Sequence, residues 1–273
     1  MSVFLDVRDV HAGYGKRKVL LSASISRLAP GTVTGLLGPN AAGKSTLMTT
    51  IAGIRKPSGG EVVVSRAEGT VAGDEQARAL AGAELRDAVG YVPQDLPSTA
   101  SLTAFESVLV SGRRAGLASG GGIFRQRSGS LEQTAAALRK VGIEHLADRF
   151  VGELSGGQRQ LVAVAQMLVR NPEVMLLDEP TSALDLRHQV ELLQLIRAEV
   201  TQRSCLALVA IHDLNLAARY CDQVVVLSAG RVLAQGSPAQ VLTPNLLQEA
   251  YGLRARVLDD DGVPVICPIA ESA

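Results

Sequence analysis

The chain opens on two stretches in which apolar and polar side chains alternate, residues 3–10 and 19–26, with GYGK between them. Alternation with period two predicts half-buried strands, and the glycine-flanked tetrapeptide predicts the turn that joins them. A continuous apolar run then enters a Gly-bearing loop and passes straight into a helix, in TVTGLLGPNAAGKSTLMTTIAG. Further strands are expected at 61–65 (EVVVS) and 89–92 (VGYV). From 95 to 171 the pattern becomes helical, with 102–112, 131–140 and 156–170 the best candidates. A Gly/Ser-rich break at 118–122 and 128–130 interrupts it and is expected to be a mobile loop.

Strand and helix alternate again beyond this block: strands at 174–177, 206–211 and 223–227, helices at 186–203 and 214–220. Such alternation implies parallel βαβ units with right-handed crossovers. The α/β core therefore comprises 1–94 and 172–240, with a helical lobe, 95–171, inserted into it. A C-terminal extension, 241–273, is expected to carry a short helix and a hairpin turning at 260–262.

Composition narrows the function. With 47% hydrophobic and 20% charged residues the chain is globular, and its formal net charge of zero removes any composition argument for a nucleic-acid partner. The nearest thing to a basic cluster, Arg113 and Arg114 with Arg125 and Arg127, reads as solvated surface. Cys205, Cys221 and Cys267 show no CxxC pairing and no metal-ligand spacing, so they are expected to be buried free thiols in a reducing cytosol. The N-terminus lacks the basic start and apolar core of a signal peptide. No apolar run approaches the ~18 residues of a membrane span. Work at a membrane would require another chain to hold this one there.

Three segments carry chemistry. Gly38-Pro39-Asn40-Ala41-Ala42-Gly43-Lys44-Ser45 fits G-x-x-x-x-G-K-[ST], with an apolar strand entering and a helix leaving. Backbone N–H groups at such a helix start wrap a phosphate, a lysine bridges the β- and γ-phosphates, and the Ser45 hydroxyl suits Mg²⁺. Next, VMLL runs into Asp178 and Glu179, placing two carboxylates at the C-terminal edge of a buried strand, where parallel sheets bind ligands. Asp178 suits Mg²⁺ held through water, and Glu179 suits polarisation of an attacking water. An acidic strand end is equally common as a helix cap, but beside a phosphate loop it makes a nucleotide hydrolase site. Third, Leu154-Ser155-Gly156-Gly157-Gln158 precedes another helix and forms a second anion-binding end, which a two-fold dimer could bring to the nucleotide of a partner chain.

The order GPNAAGKST, Gln94 in YVPQD, LSGGQ, LLDEP, SALD and His212 resembles the ATP-binding cassette (ABC) family over nearly the whole chain. The resemblance implies a P-loop NTPase fold of class α/β: a mostly parallel sheet, an N-terminal antiparallel β subdomain and an inserted α-helical subdomain. It implies a head-to-tail homodimer sandwiching two ATP, with Mg²⁺. Gly38 to Thr46 would cradle the phosphates, and Ser155, Gly156, Gly157 and Gln158 would face the γ-phosphate of the partner's ATP. The loop Ser182 to Asp185 would communicate across the dimer. Gln94 would contact Mg²⁺ and the attacking water, and His212 would bond the γ-phosphate and hold Glu179. Tyr14 would stack on adenine. Ala41 departs from the glycine common at that position; if positive φ is needed there, alanine costs about 1 kcal/mol.

HDLNLAARYCDQVVVLSAGRVLAQGSPAQVLTPNLLQEAYG and SLTAFESVLVSGR are similar to importer ATPases for ferric siderophores, haem and cobalamin. That likeness implies two integral-membrane permease partners, an indirect substrate-binding protein, and a place on the cytoplasmic face of the cell membrane. Other metal importers or exporters share the same chemistry. A soluble cassette acting on ribosomes or DNA would predict duplicated cassettes, coiled-coil insertions or basic tails, and a non-hydrolysing regulator would predict a damaged Glu179 or His212. The chain has none of these features.

Overall fold

The computed structural model describes residues 2–67, 78–96, 101–116 and 123–269, with the backbone alone at 113–116 and 123–129. The side chains of Arg113, Arg114, Arg125 and Arg127, and residues 118–122 of the expected loop, lie outside this description.

Strand β1 (Ser2–Tyr14) buries Val3, Leu5 and Val7 on one face, as its alternation requires. It pairs antiparallel with β2 (Arg17–Leu28) on one side and β4 (Gly59–Ala67) on the other, and the short β5 (Arg78–Ala79) extends that edge. The second half of the sheet holds β3 (Val33–Leu37), β6 (Val89–Val92), β7 (Val174–Asp178), β8 (Leu206–Ala210) and β9 (Gln223–Ser228), all parallel. β3, β7 and β8 are buried at every position, which is why they read as unbroken apolar runs.

β10 (Arg231–Gly236) joins the two halves: it runs antiparallel to β9 and touches β2 through the single pair Arg231 and Ser22. No strand is expected there from the sequence, because RVLAQG is only half-buried and too weakly alternating to declare itself. The whole sheet has the order β5-β4-β1-β2-β10-β9-β3-β8-β7-β6.

Successive residues of the parallel strands feed two cores. Leu36, Leu176 and Leu208 face the antiparallel half and helix α1 (Lys44–Ile51), whereas Leu37, Leu177 and Val209 face the helical side. α2 (Gly82–Ala88) leads into β6. α3 (Ala104–Gly116), α4 (Ile123–Lys140) and α5 (Gly156–Leu168) pack on one another between β6 and β7. Residues 128–130, expected in a loop, belong to α4. Their weak helix propensity is overridden within a helix whose C-terminal half is anchored in the core by Ala137 and Leu138.

α6 (Leu186–Arg203) and α7 (Leu214–Tyr220) connect β7, β8 and β9 as crossovers. α8 (Pro238–Val241) and α9 (Pro244–Tyr251) follow β10, and the chain closes on the hairpin β11 (Ala255–Asp260) and β12 (Val263–Pro268). Cys205 and Cys221 are buried free thiols; Cys267 is only half-buried, since it lies on this terminal hairpin.

Candidate functional site

Parallel register aligns the C-terminal ends of β3, β8, β7 and β6 along one edge of the sheet. The phosphate loop leaves β3, His212 follows β8, Asp178 ends β7 and Gln94 follows β6. One cavity of about 520 Å³ forms over this edge, lined by Tyr14, Arg17, Val19, Asn40–Thr46, Gln94, Glu179 and His212. The topology thus gathers residues far apart in sequence.

The loop is held open by its backbone. Gly38 has φ 148°, and a Cβ there would stand 2.0 Å from the Leu227 carbonyl oxygen, so only glycine lets the loop lie against β9. Ala41 has φ 62°, the left-handed conformation its glycine-like position demands. Gly43, at φ 108°, precedes α1 without any side-chain cap, leaving that helix start's N–H groups for an anion.

Lys44 is buried, and its Nζ donates to the Gly38 carbonyl at 2.9 Å while standing 3.9 Å from Glu179 Oε1. Burial pushes its pKa down, and the neighbouring Glu179 and Asp178 charges oppose that. Asp178 is buried too. Burial pushes its carboxyl pKa up; the Ser45 hydroxyl bonded to it opposes this, and the Glu179 charge adds to it. Tyr91, missed by sequence reasoning, offers its hydroxyl to Asp178 Oδ2 at 3.4 Å. Burial and the Asp178 charge together push the Tyr91 pKa up.

Asp178 Oδ1 is buried with no hydrogen-bond partner. A carboxylate oxygen in that condition, on a carboxyl bonded to the Ser45 hydroxyl, fits a hard divalent cation that keeps several waters. Among the described residues no cluster of three or more His, Cys, Asp or Glu forms a metal cage. A Mg²⁺ site completed by phosphate oxygens does not require one.

Glu179 sits just past β7 in the left-handed conformation (φ 52°), uncommon for a side chain of its size. Its Oε1 lies 2.5 Å from His212 Nε2, and its carbonyl accepts the Ser182 hydroxyl at 3.0 Å. Tyr14 is 51% exposed at the cavity mouth, as expected for an aromatic with no core to fill. The Arg55 guanidinium lies 3.7 Å from its ring centroid.

Ser155, Gly156, Gly157 and Gln158 do not line this cavity. They form the N-terminus of α5, where Ser155 Oγ accepts from the Gln158 N–H at 3.2 Å and Gln158 Oε1 accepts from the Ser155 N–H at 2.9 Å. A Cβ on Gly157 would stand 2.8 Å from the Ala183 carbonyl oxygen, so this end packs tightly on the loop that follows Glu179. Asp185, at the end of that loop, caps α6: its Oδ1 accepts from the His188 N–H at 2.9 Å and lies 2.7 Å from His188 Nδ1. Those bonds to His188 hold its pKa below the usual carboxylate value.

Arg17, Val19, Arg55, Tyr91 and Tyr251 were not singled out from sequence. A cation at the start of β2, just past the turn that follows Tyr14, is the signal the sequence offers for Arg17. Tyr251, at the end of α9, presents its hydroxyl to the Gly38 backbone amide, and burial pushes its pKa up to about 12.

A family model described as ABC transporter matches residues 22–182. The chain is 34% identical over 264 residues to the ferric enterobactin transport ATP-binding protein of Escherichia coli, covering 96% of this chain and 92% of that one. It is 38% identical over 276 residues to the hemin import ATP-binding protein of Burkholderia thailandensis, covering 97% and 99%. Its backbone matches a solved chain described as an inward-facing transporter of the metal-chelate ABC type, with TM-score 0.77, 24% identity and 98% of each chain covered.

Proposed function

The chain is an ATPase of the ABC transporter family, and on that premise we propose that it powers import of a metal chelate, a ferric siderophore in the first place and haem or cobalamin as alternatives. One observation carries the chemistry: Lys44, Ser45, Asp178, Glu179 and His212 converge at one sheet edge, under a loop shaped for phosphate. Relatives named for ferric enterobactin and hemin over nearly their full length support the cargo class.

In this reading the loop amides and Lys44 hold the β- and γ-phosphates, and Tyr14 stacks on the base. Ser45, Gln94 and Asp178 would hold Mg²⁺, which when bound supplies charge neutralisation to the terminal phosphates. Glu179 polarises the attacking water, and His212 keeps that carboxylate aimed. Arg17, exposed at the cavity rim, adds a cation to the lining.

A second copy completes the site, because the Ser155–Gln158 end lies outside the cavity of its own chain. Among the described residues no helix is long and apolar enough to cross a membrane. Two permease chains would therefore hold the homodimer at the cytoplasmic face, and a substrate-binding protein would deliver cargo from the other side. The same engine could serve another metal importer or an exporter, and the permease decides between them.

The test has two arms. Glu179→Gln should bind Mg–ATP and run at dimer mass by light scattering; turnover at the wild-type rate in that variant sinks the role given to Glu179. Reconstituted with its permease in vesicles, the wild-type protein should drive ATP-dependent accumulation of a ferric siderophore. ATP-dependent efflux in its place replaces the import reading.

A further inference from the structure

Helix α1 begins at Lys44 and, after the Gly53 turn, the chain brings Arg55 against the ring of Tyr14, one of the residues that line the cavity. Arg55 is held there by the helix itself: its N–H and that of Ile54 both donate to the Thr49 carbonyl at 3.0 Å. Its Nη1 then donates to the Gly13 carbonyl at 2.7 Å, and its guanidinium carbon sits 3.7 Å from the centroid of the Tyr14 ring. Arg55 Nε is buried with no hydrogen-bond partner. The guanidinium therefore spends one fork of its donors on backbone and its planar face on an aromatic ring.

From this we infer that Arg55 is a positioning residue for base recognition, forming the inner layer of a guanidinium–tyrosine–purine stack. The inference rests on the proposed nucleotide role of the cavity. Tyr14 stands half-exposed at the very end of β1, where the strand meets the turn to β2. Arg55 occupies one face and leaves only the other for a ligand. A cation on one face also draws ring electron density towards itself, so the far face is less negative and better matched to an electron-rich purine. The same short helix thus fixes the phosphate end of the site through Lys44 and the base platform through Arg55.

The test compares a ligand that has a base with one that lacks it. Calorimetric Kd values for Mg–ATP and for inorganic tripolyphosphate would be measured on wild type, Arg55→Met, Arg55→Lys and Lys44→Ala. Arg55→Met should weaken ATP about 3- to 10-fold and leave tripolyphosphate within about twofold. Arg55→Lys should recover part of the ATP affinity, because it restores the charge without the planar stack. Equal weakening of both ligands in Arg55→Met would reveal a merely structural role and overturn the inference, as would unchanged ATP affinity. The underlying nucleotide reading fails separately: wild type binding neither ligand, or Lys44→Ala binding both as well as wild type, would sink it.

Discussion

His212 Nε2 lies 2.5 Å from Glu179 Oε1, across the ends of two paired parallel strands, β7 and β8. Glu179 holds its place with a left-handed backbone, a conformation that persists only where the surroundings over-determine it. The histidine is one such restraint. His212→Ala should reduce ATP hydrolysis about 100-fold while leaving the Kd for Mg–ATP within a few-fold, measured by phosphate release and calorimetry. A parallel loss of binding would assign His212 to nucleotide capture instead.

The buried Asp178 carboxyl, pushed up in pKa by burial and by Glu179, gives a pH dependence with a definite sign. A raised folded-state pKa means that ionised Asp178 weighs against the folded protein above that pKa, and that this penalty is absent below the unfolded value. Stability of the free protein from this group therefore falls as pH rises from the ordinary aspartate range through the raised pKa. Asp178→Asn should raise the Tm of the nucleotide-free protein at pH 8 by about 2–4 °C and flatten its acid-side pH dependence. Hydrolysis in that variant should fall at least about 100-fold. An unchanged or lower Tm would mean that Asp178 is already compensated by Lys44, Ser45 and Tyr91.

Ala41, at φ 62°, occupies a conformation that glycine takes without strain. Ala41→Gly should stabilise the folded loop by about 1 kcal/mol, less what the more flexible unfolded chain returns, visible as a small rise in urea midpoint. ATP affinity should not fall. A drop in midpoint would show that neighbouring contacts, rather than backbone strain, govern this position.

Gly157 lets the start of α5 pack against the Ala183 carbonyl, so Gly157→Ala should push these two segments apart. Binding of ATP to the isolated chain should persist, because neither segment lines its cavity. In the Glu179→Gln background the same change should abolish the ATP-dependent dimer in light scattering. A dimer of undiminished stability would separate α5 from the nucleotide interface.

Much of this was legible because the relevant groups sit next to one another in sequence. The phosphate loop, the VMLLDE strand end and the LSGGQ helix start each announce their chemistry within a few residues, and burial on both faces makes β3, β7 and β8 conspicuous. What the sequence hides is pairing across distance. Arg55 meets the Tyr14 turn 42 residues from Gly13, through a stack that leaves no periodicity behind. Tyr251 reaches Gly38 only because α9 folds back over the parallel sheet. β10 carries too few buried side chains to read as a strand, yet it is the piece that joins the two halves of the sheet. Residues 128–130 mislead in the opposite sense, since local propensity for a turn yields to the helix around them.

The reciprocal bonds between Ser155 and Gln158 have a consequence for timing. A free glutamine side chain loses roughly 1.5–2 kcal/mol of rotamer freedom when it is pinned, and that ordering is completed here as the chain folds. An arriving surface then meets donors already set at the helix start, with the Ser155 hydroxyl hydrogen still available because its oxygen serves as the acceptor. If a second copy docks here as proposed, Gln158 needs no further ordering on contact. The speed of that docking would then be set by encounter and orientation rather than by a search at this helix start.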